Sequence, residues 1–323
     1  MTADARTDDH PVVALTPRPP GPRERPARPR GQRYRRREVL LALAFLLPNL
    51  VLLGVFTYRP LLDNFRLSFT SWNIASPTAE YIGVDNYVEW FTSSSSQTVM
   101  WNTVVFTGAA VIGSMVLGLA LALLLDQKLV GRNAVRSLVF APFVLAGAAV
   151  GVAFQFVFDP TFGLIQDVLG RLGIEAPAFY QNPRWALFMV TTTYVWKNLG
   201  YTFVIYLAAL QGRRAELDEA AEIDAASTWT KFRRVTWPQL RPATFFLLIT
   251  VLLNSFQVFD VIHTMTRGGP LGDGTTTMVY QIYEETFVNL RAGYGATVAS
   301  IMFVALLLIT LAQVFLMERG RQK

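Results

Sequence analysis

Residues Gln211–Pro242, QGRRAELDEAAEIDAASTWTKFRRVTWPQLRP, are the stretch on which the fold of this chain depends. They form the longest charged interruption between apolar segments in the C-terminal two thirds of the sequence. The first half is rich in Ala, Glu and Leu, so Arg214–Ala226 is predicted to be helical. A charged helical segment between two apolar ones predicts a docking element, and an ordinary basic loop is the alternative.

The second half of this stretch predicts another short helix. Ser227 or Thr228 can cap its first turn, and Trp229 and Phe232 fall on one side of it. The basic residues of the segment lie largely on the other side. Pro238 is predicted to end the helix, because proline cannot donate a hydrogen bond to a helical carbonyl. The stretch therefore predicts a helix–turn–helix with a basic and aromatic surface.

The segments around this stretch are apolar and long. The chain is 52% hydrophobic and only 16% charged, which is outside the usual range of soluble domains. Six segments are near or above the ~20 residues that cross ~30 Å of hydrocarbon. They are Val39–Tyr58, Val99–Leu125, Ser137–Phe158, Trp185–Leu210, Ala243–His263 and Ala296–Met317. The sequence predicts an all-α integral membrane protein with six transmembrane helices.

The positions of the 29 Lys and Arg residues predict the orientation of these helices. Most of them lie in the N-terminal segment, the connections Asp126–Arg136 and Gln211–Pro242, and the C-terminus. Because basic residues favour the cytoplasmic side, both termini and these two connections are predicted to be cytoplasmic. The net charge of +6 therefore indicates membrane orientation and does not indicate a nucleic-acid partner.

Three regions follow from this pattern. Residues 1–38 are rich in Pro and Arg and poor in large apolar residues, so they are predicted to be a disordered cytoplasmic tail. An RNA-binding arm and a membrane-surface patch are the alternatives, and a cleaved signal peptide is not expected. Residues 39–318 form the six-helix domain, and residues 319–323 a cytoplasmic C-terminal tail.

Five polar residues inside the predicted spans are candidates for a translocation path. A charged side chain near the bilayer centre is costly and usually faces protein or water. Lys197 and Asn198 lie near the middle of the fourth span. Asn254, Gln257 and Asp260 recur at i, i+3 and i+6 in the fifth, which predicts that they share or adjoin one helical face. Hydrogen bonding between helices is the alternative role.

Small residues predict close packing of helices in the third span. Gly147 and Gly151 are four residues apart, a spacing that lets two helix backbones approach. Packing within the protein and a seam between two copies are both compatible with this spacing, and the first is the prediction.

Several enzymatic signatures are missing from the sequence. It has no G-x-x-x-x-G-K-[ST] phosphate-binding loop, no H-E-x-x-H and no G-x-S-x-G. It has no Cys, and His10 and His263 are its only imidazoles. The rival functions are a membrane-embedded enzyme, such as a lipid-linked glycosyltransferase, and a passive channel. The acidic pair Glu284-Glu285 has no basic or His neighbour in sequence to make it catalytic.

The charged stretch resembles the EAA loop of permease subunits in binding-protein-dependent ATP-binding-cassette (ABC) importers. The family pattern is Glu-Ala-Ala, three residues, Gly, nine residues and Ile-x-Leu-Pro. Here Glu219-Ala220-Ala221 is followed at the same spacing by Ala225 in the Gly position and by Val235–Pro238. The Ala at the Gly position predicts a stiffer junction between the two helices.

A second stretch restricts the resemblance to one branch of this family. Arg267-Gly268-Gly269-Pro270 and, further on, Gly293-Tyr294-Gly295 are similar to the region before the last span in carbohydrate-type ABC permeases. The resemblance extends over about residues 39–318. Gly268, Gly269 and Pro270 are expected to form a gate loop or a contact with the binding protein.

The resemblance implies a type I ABC importer permease fold in the bacterial cytoplasmic membrane. The chain would be a transport subunit and not an enzyme, with ATP and Mg bound by a partner and no cofactor of its own. Its partners would be a second homologous permease, a dimer of cytoplasmic ABC ATPase subunits, an external solute-binding protein and the lipid bilayer. The residues implied in coupling to the ATPase are Glu219, Ala220, Ala221, Asp224, Ala225, Trp229, Phe232 and Pro238.

The expected solute is a polar, carbohydrate-type molecule. The resemblance favours glycerol-3-phosphate or a glycerophosphodiester, and Lys197 could complement a phosphate group. A sugar or oligosaccharide carried by a permease of the same family is the alternative.

Overall fold

The computed structural model describes residues 32–127, 131–214, 216, 217, 219, 223 and 227–321. These residues form helices joined by turns, and the described part of the chain contains no β-strand, only one isolated antiparallel bridge between Thr70 and Tyr81. The all-α prediction is confirmed. The chain divides into two units after Tyr58.

The first unit contains one membrane helix. Helix α1 covers Gln32–Leu53 and continues through Pro48 to a π-helical turn at Gly54–Tyr58. Its large apolar side chains are exposed, which suits a lipid-facing helix. Helix α1 begins inside the predicted tail, while residues 1–31 lie outside the described part, so the disorder of the tail stays a prediction.

The second unit contains the remaining helices. A bent pair, α5 and α6, and the long helices α4, α8, α10 and α13 form its bundle, and shorter helices connect them. The bounds are α2 Arg59–Leu67, α3 Asp85–Thr92, α4 Ser94–Leu125, α5 Arg132–Val144, α6 Gly147–Val157, α7 Leu164–Arg171, α8 Pro183–Gln211, α9 Thr228–Lys231, α10 Trp237–Phe256, α11 Asp260–Met265, α12 Met278–Tyr283 and α13 Ala292–Arg321. Phe232–Thr236 and Glu284–Val288 are π-helical turns.

Local sequence explains where the two central helices begin. The Ser93 side chain accepts a hydrogen bond from the Ser96 amide and caps α4. The Asn182 side chain accepts from the amides of Arg184 and Trp185, and Pro183 occupies the first turn of α8, where its missing N–H leaves no bond unmade. Both starting points therefore follow from ordinary capping chemistry.

Four of the predicted spans coincide with helices that are long and apolar enough to cross a membrane. Within the described residues these are Glu38–Leu67, Ser94–Leu125, Thr228–Met265 and Ala292–Met317, and the bent pair α5–α6 supplies a fifth. The predicted span Trp185–Leu210 lies in α8, which has 29 residues but is less apolar. Helix α8 packs against α4, α5 and α10, so most of its surface meets protein and a lower hydropathy is tolerated.

The third predicted span is not one continuous helix. Helices α5 and α6 meet at an angle of 102°. Pro142 removes a backbone donor near the end of α5, the Leu145 amide closes back on the Pro142 carbonyl at 3.3 Å, and Ala146 is extended. The predicted span Ser137–Phe158 is therefore two helices, and the kink that Pro142 predicts within it is confirmed.

The fifth predicted span is also interrupted. Helix α10 ends at Phe256, and α11 begins at Asp260. Gln257 and Phe259 leave the regular helical conformation, with φ of −93° and −133°. The helical register assumed from Asn254 to Asp260 does not hold across this break, so their periodic spacing does not place them on one helix face.

The two broken spans pack against each other through glycines. A Cβ atom on Gly147 would lie 2.8 Å from Asp260 Oδ2, and one on Gly151 would lie 2.9 Å from the Thr264 Cβ atom. The four-residue spacing on α6 thus matches the four-residue spacing on α11. The prediction that these glycines permit close helix packing is confirmed, and the packing is within the chain.

Candidate coupling and translocation sites

The base of the charged loop is fixed to the helix bundle by Arg213. Its Nη2 atom lies 2.6 Å from Asp126 Oδ2, just past the end of α4, and both side chains are largely buried. The same guanidinium donates to the Leu210 carbonyl at 2.9 Å and to Thr236 Oγ1 at 3.2 Å. Arg213 therefore joins the ends of α4 and α8 to the π-helical turn before α10.

Two further contacts hold the same region. The Arg214 amide donates to Gln239 Oε1 at 3.1 Å, and the Gln239 side chain donates in turn to the Val235 carbonyl. Arg136 donates to the carbonyl of Leu125 at 3.3 Å. These residues were missed in the sequence analysis. The one available signal was the position of charged residues at the ends of spans.

The described part of the loop confirms its second helix. The Ser227 side chain accepts from the Thr230 amide at 3.3 Å and caps α9. Glu219 is exposed, as a docking residue requires. Ala220, Ala221, Asp224 and Ala225 lie outside the described residues, so their part in coupling stays a prediction.

Three aromatic rings follow the cap of α9. Trp229 stacks on Phe232 with centroids 5.7 Å apart, and Phe232 lies 6.2 Å from Trp237. Trp229 is nevertheless 68% exposed. The rings therefore stiffen this part of the loop and leave one large apolar face uncovered in the isolated chain.

Pro238 does not end the helix, which corrects the sequence prediction. It lies in the first turn of α10, directly after the π-helical turn. In that turn the Trp237 amide donates to the Phe232 carbonyl, one residue further back than in an α-helix. The wider turn accommodates the missing donor of Pro238, so the helical path continues into the membrane.

Lys197 lies beside the break between α5 and α6. Its ammonium donates to the Phe143 carbonyl at 3.4 Å and sits 5.5 Å from the centre of the Phe143 ring. That carbonyl is among the last of α5, where the helix dipole favours a cation. The neighbouring Asn198 bonds inside its own helix, to the Tyr194 carbonyl at 2.9 Å.

The polar residues of the fifth span are exposed in the isolated chain. Asn254 and Gln257 precede the break and Asp260 follows it, and none of the three side chains is buried in the bundle. Asp260 lies against Gly147, at the start of α6, and interacts electrostatically with Lys197. The two helix breaks therefore meet, with an ammonium and a carboxylate between them.

The loop that begins with Gly268 and Gly269 is tightly built. The Thr275 amide donates to the Gly268 carbonyl at 2.7 Å, and the peptide bond between Gly269 and Pro270 is cis. A Cβ atom on Gly268 would lie 2.5 Å from Thr276 Oγ1 and 2.8 Å from the Tyr280 ring, and its φ is +82°. Only glycine fits this position.

Glu285 has a basic partner that the sequence did not reveal. Arg291 lies 2.6 Å from Glu89 and 3.7 Å from Glu285. Burial raises the pKa of the Glu285 carboxyl, while Arg291 lowers it. Burial also raises the pKa of Glu284, and Asp273 and Glu285 raise it further. Among the described residues there is no group of three or more His, Asp or Glu side chains that could hold a metal ion.

An apolar helical bundle with a charged loop anchored at the ends of its spans is the architecture of an integral membrane protein. Residues 114–322 match the family described as binding-protein-dependent transport system inner membrane component. The chain belongs to this family.

Similar proteins extend over most of the chain. It is 34% identical to the sulfoquinovosyl glycerol transport system permease protein of Agrobacterium fabrum, covering 84% of this chain and 88% of that one. It is 32% identical to the sn-glycerol-3-phosphate transport system permease protein of Salmonella choleraesuis, covering 82% and 90%. A probable ABC transporter permease of Pyrococcus horikoshii is 30% identical, covering 87% and 97%.

A solved structure has the same fold. A chain of the bacterial ABC transporter that imports the acidic polysaccharide alginate superposes with a TM-score of 0.77 at 24% identity, covering 89% of this chain and 98% of that chain. The predicted ABC importer permease fold is confirmed.

Family membership decides between the rival functions. The chain is an inner-membrane permease subunit of a sugar or glycerol-phosphate type ABC importer, and it is a transport component without catalytic activity of its own. ATP hydrolysis belongs to a separate subunit, and a second permease and an external binding protein complete the system. The glycosyltransferase and channel alternatives are therefore set aside.

Proposed function

We propose that this subunit imports an acidic, glycerol-bearing solute, with glycerol-3-phosphate or a glycerophosphodiester as the leading candidate. Two similar permeases are named for glycerol compounds that carry a phosphate or a sulfonate. The observation that carries the proposal is Lys197, an ammonium held at the meeting point of two broken helices. A neutral sugar or oligosaccharide is the second candidate, favoured by Asp260, which offsets part of the Lys197 charge.

The proposed path passes the meeting point of the two breaks. Broken helices at membrane depth are tolerated where they line a cavity or are covered by protein. Asn254, Gln257 and Asp260 are exposed in the isolated chain, and exposure to lipid would be unfavourable for them. Together with Lys197 and Asn198 they would line a polar route, with Asn254 and Gln257 bonding to glycerol hydroxyls and Lys197 facing the acidic group.

The charged loop is proposed to carry force from the ATPase. Glu219 and Asp224 would make polar contacts in a cleft of the ATPase, and the exposed face of Trp229 would be covered there. Closure of the ATPase pair would push the loop and switch the bundle between inward-facing and outward-facing states. This requires the loop and both termini, including the basic tail of residues 1–38, to be cytoplasmic, as the positions of Lys and Arg support.

The opposite side of the bundle is proposed to receive the binding protein. The connections after the first, third and fifth spans would form its docking surface. The rigid loop of Gly268, Gly269 and Pro270 would be the part nearest the outer end of the path, because it follows α11 directly.

Uptake by the complete transporter tests the proposed solute. The four-component complex is placed in proteoliposomes, and uptake of labelled sn-glycerol-3-phosphate, glycerophosphocholine and a neutral disaccharide is compared. Uptake of the acidic compounds is expected, together with its loss in Lys197→Met and its retention in Lys197→Arg. Uptake of the disaccharide alone, unchanged in Lys197→Met, would overturn the proposal in favour of the sugar alternative.

A further inference from the structure

A polar pocket lies at the end of α11 that is farther from the charged loop. It has a volume of about 520 Å³ and is lined by Gln155, His263, Thr264, Met265, Thr266 and Arg267. It begins one turn of helix beyond Asp260 and follows the same seam between α6 and α11. The pocket is separate from the meeting point of the two helix breaks.

The side chains of this pocket offer hydrogen-bond donors and a permanent positive charge. Arg267 is exposed, and in the described part of the chain no carboxylate lies within ion-pair distance of its guanidinium. His263 Nδ1 is buried and has no hydrogen-bond partner among the described residues. The His263 ring is held by stacking on Phe259, with centroids 5.1 Å apart. The exposed Arg267 guanidinium suits a phosphate or sulfonate group.

The backbone holds Arg267 in an unusual conformation. Its φ is +51°, in the left-handed region that glycine favours, and its amide donates to the Ile262 carbonyl at 2.9 Å. The chain places an arginine at this helix-ending position although Gly268 follows it. The bonds from Thr275 and Thr276 to the Gly268 carbonyl fix the next residue. Backbone strain kept in place by a rigid loop is typical of a functional position.

The position of Arg267 relates it to the proposed path. Arg267 follows Asp260 by seven positions, and the helix between them, Asp260–Met265, is about 9 Å long. Thr264 lies between them, on the face of α11 that packs on Gly151. Arg267 therefore lies on the side of Asp260 that faces away from the charged loop.

We propose that the pocket around Arg267 is an outer anion-binding station, which receives the acidic group of the solute before Lys197 does. Arg267 contributes the charge, and His263 and Gln155 line the pocket around it. The station would raise the local concentration of an anionic solute at the mouth of the path. This inference rests on the proposed acidic solute and adds a second recognition point for it.

Arg267→Gln tests the station in the complete transporter. Uptake of sn-glycerol-3-phosphate into proteoliposomes is measured as a function of the concentration of solute-loaded binding protein. The half-saturating concentration is expected to rise about tenfold, because one charge-assisted hydrogen bond is lost. The maximal rate is expected to stay within about twofold of the parent's. Arg267→Lys keeps the charge and is expected to stay within about threefold.

Arg319→Gln is the matched control. Arg319 is exposed near the C-terminal end of α13, packs on the Phe315 ring and does not line the pocket, so its removal changes the net charge equally. It is expected to leave uptake unchanged. Basal ATP hydrolysis and the yield of assembled complex confirm that each variant is intact.

The outcomes distinguish a failure of the outer station from a failure of the proposed acidic solute. If the parent takes up sn-glycerol-3-phosphate and Arg267→Gln has parental kinetics, the outer station is wrong and the proposed function stands. An equal effect of Arg319→Gln would also overturn the station, because it would show a general charge effect. If the parent takes up no acidic solute, the proposed function fails and the station fails with it.

Discussion

Single residues set how closely the two broken spans approach. Gly151 contacts Thr264 across the seam between α6 and α11, and there is no room for a side chain. Gly151→Ala is expected to destabilise the protein by about 1–3 kcal/mol, the usual cost of overpacking. Gly108→Ala is the control, because a Cβ atom there meets nothing within 4 Å. Thermal unfolding of both variants in detergent measures the difference, and equal midpoints would contradict the seam.

The Glu284 carboxyl predicts that the stability of the protein depends on pH. Burial, then Asp273 and Glu285, raise the pKa of its carboxyl in the folded state. Its ionisation therefore opposes folding at neutral pH, and this penalty disappears as pH falls below the unfolded pKa of about 4.3. Glu284→Gln is expected to raise the thermal midpoint at pH 7 and to give no gain near pH 4. A gain that persists at pH 4 would show that the carboxylate charge is not the cause.

The contacts of Arg213 show what the sequence could not reveal about single residues. Its partner Asp126 is 87 residues away in the chain, so no local spacing pairs them. The same holds for Arg291 and Glu89, which are 202 residues apart. In contrast, the cap formed by Ser227 was predictable, because it depends on neighbours in sequence. The glycines at close helix contacts were predictable as well, because their role depends on residue size alone.

At the scale of elements, apolar length predicted where the membrane helices lie but not where they break. The spans containing α4 and α13 were placed within a few residues. Pro142 predicted a kink near the break after Val144. The break after Phe256 was missed, because no proline marks it. The periodic spacing of Asn254, Gln257 and Asp260 therefore wrongly predicted that they share or adjoin one helix face, because the helix breaks between Phe256 and Asp260.

The anchored base of the charged loop predicts how force reaches the bundle. Because Arg213 bonds to the ends of two spans and to the start of a third, Asp126→Asn is expected to lower transport per ATP hydrolysed by about tenfold or more. Removing one partner of a largely buried ion pair typically costs more than about 1.4 kcal/mol, the free energy that corresponds to a tenfold change. Uptake and ATP hydrolysis are measured in the same proteoliposomes, with binding protein present.

The exchange Asp126→Arg with Arg213→Asp is the companion variant. It restores opposite charges at the same two positions, so partial recovery of coupling is expected if the ion pair transmits force. Glu38→Gln removes an exposed carboxylate on α1 and serves as the control, since exposed charges contribute little. Full coupling in Asp126→Asn would show that the loop acts through its other contacts.

At the scale of the whole molecule, the isolated chain exposes two kinds of surface. Helices α1 and α13 expose large apolar side chains, as lipid-facing helices do. The region around the two helix breaks exposes amide, carboxylate and ammonium groups instead. In a membrane the second surface requires water or protein against it. A second permease opposite this surface would enclose a polar route between the two subunits.

Water access to this surface can be measured directly because the chain has no Cys. In the assembled transporter, Gln257→Cys is expected to react with a membrane-impermeant, positively charged thiol reagent, and bound solute is expected to slow that reaction. Leu308→Cys, on the apolar surface of α13 and 60% exposed in the isolated chain, is the matched control and is expected to remain unmodified. Thiolate chemistry requires water, so lipid protects a cysteine that lies within it. A Gln257→Cys variant as inert as Leu308→Cys would place the polar surface in a dry helix contact and remove it from the path.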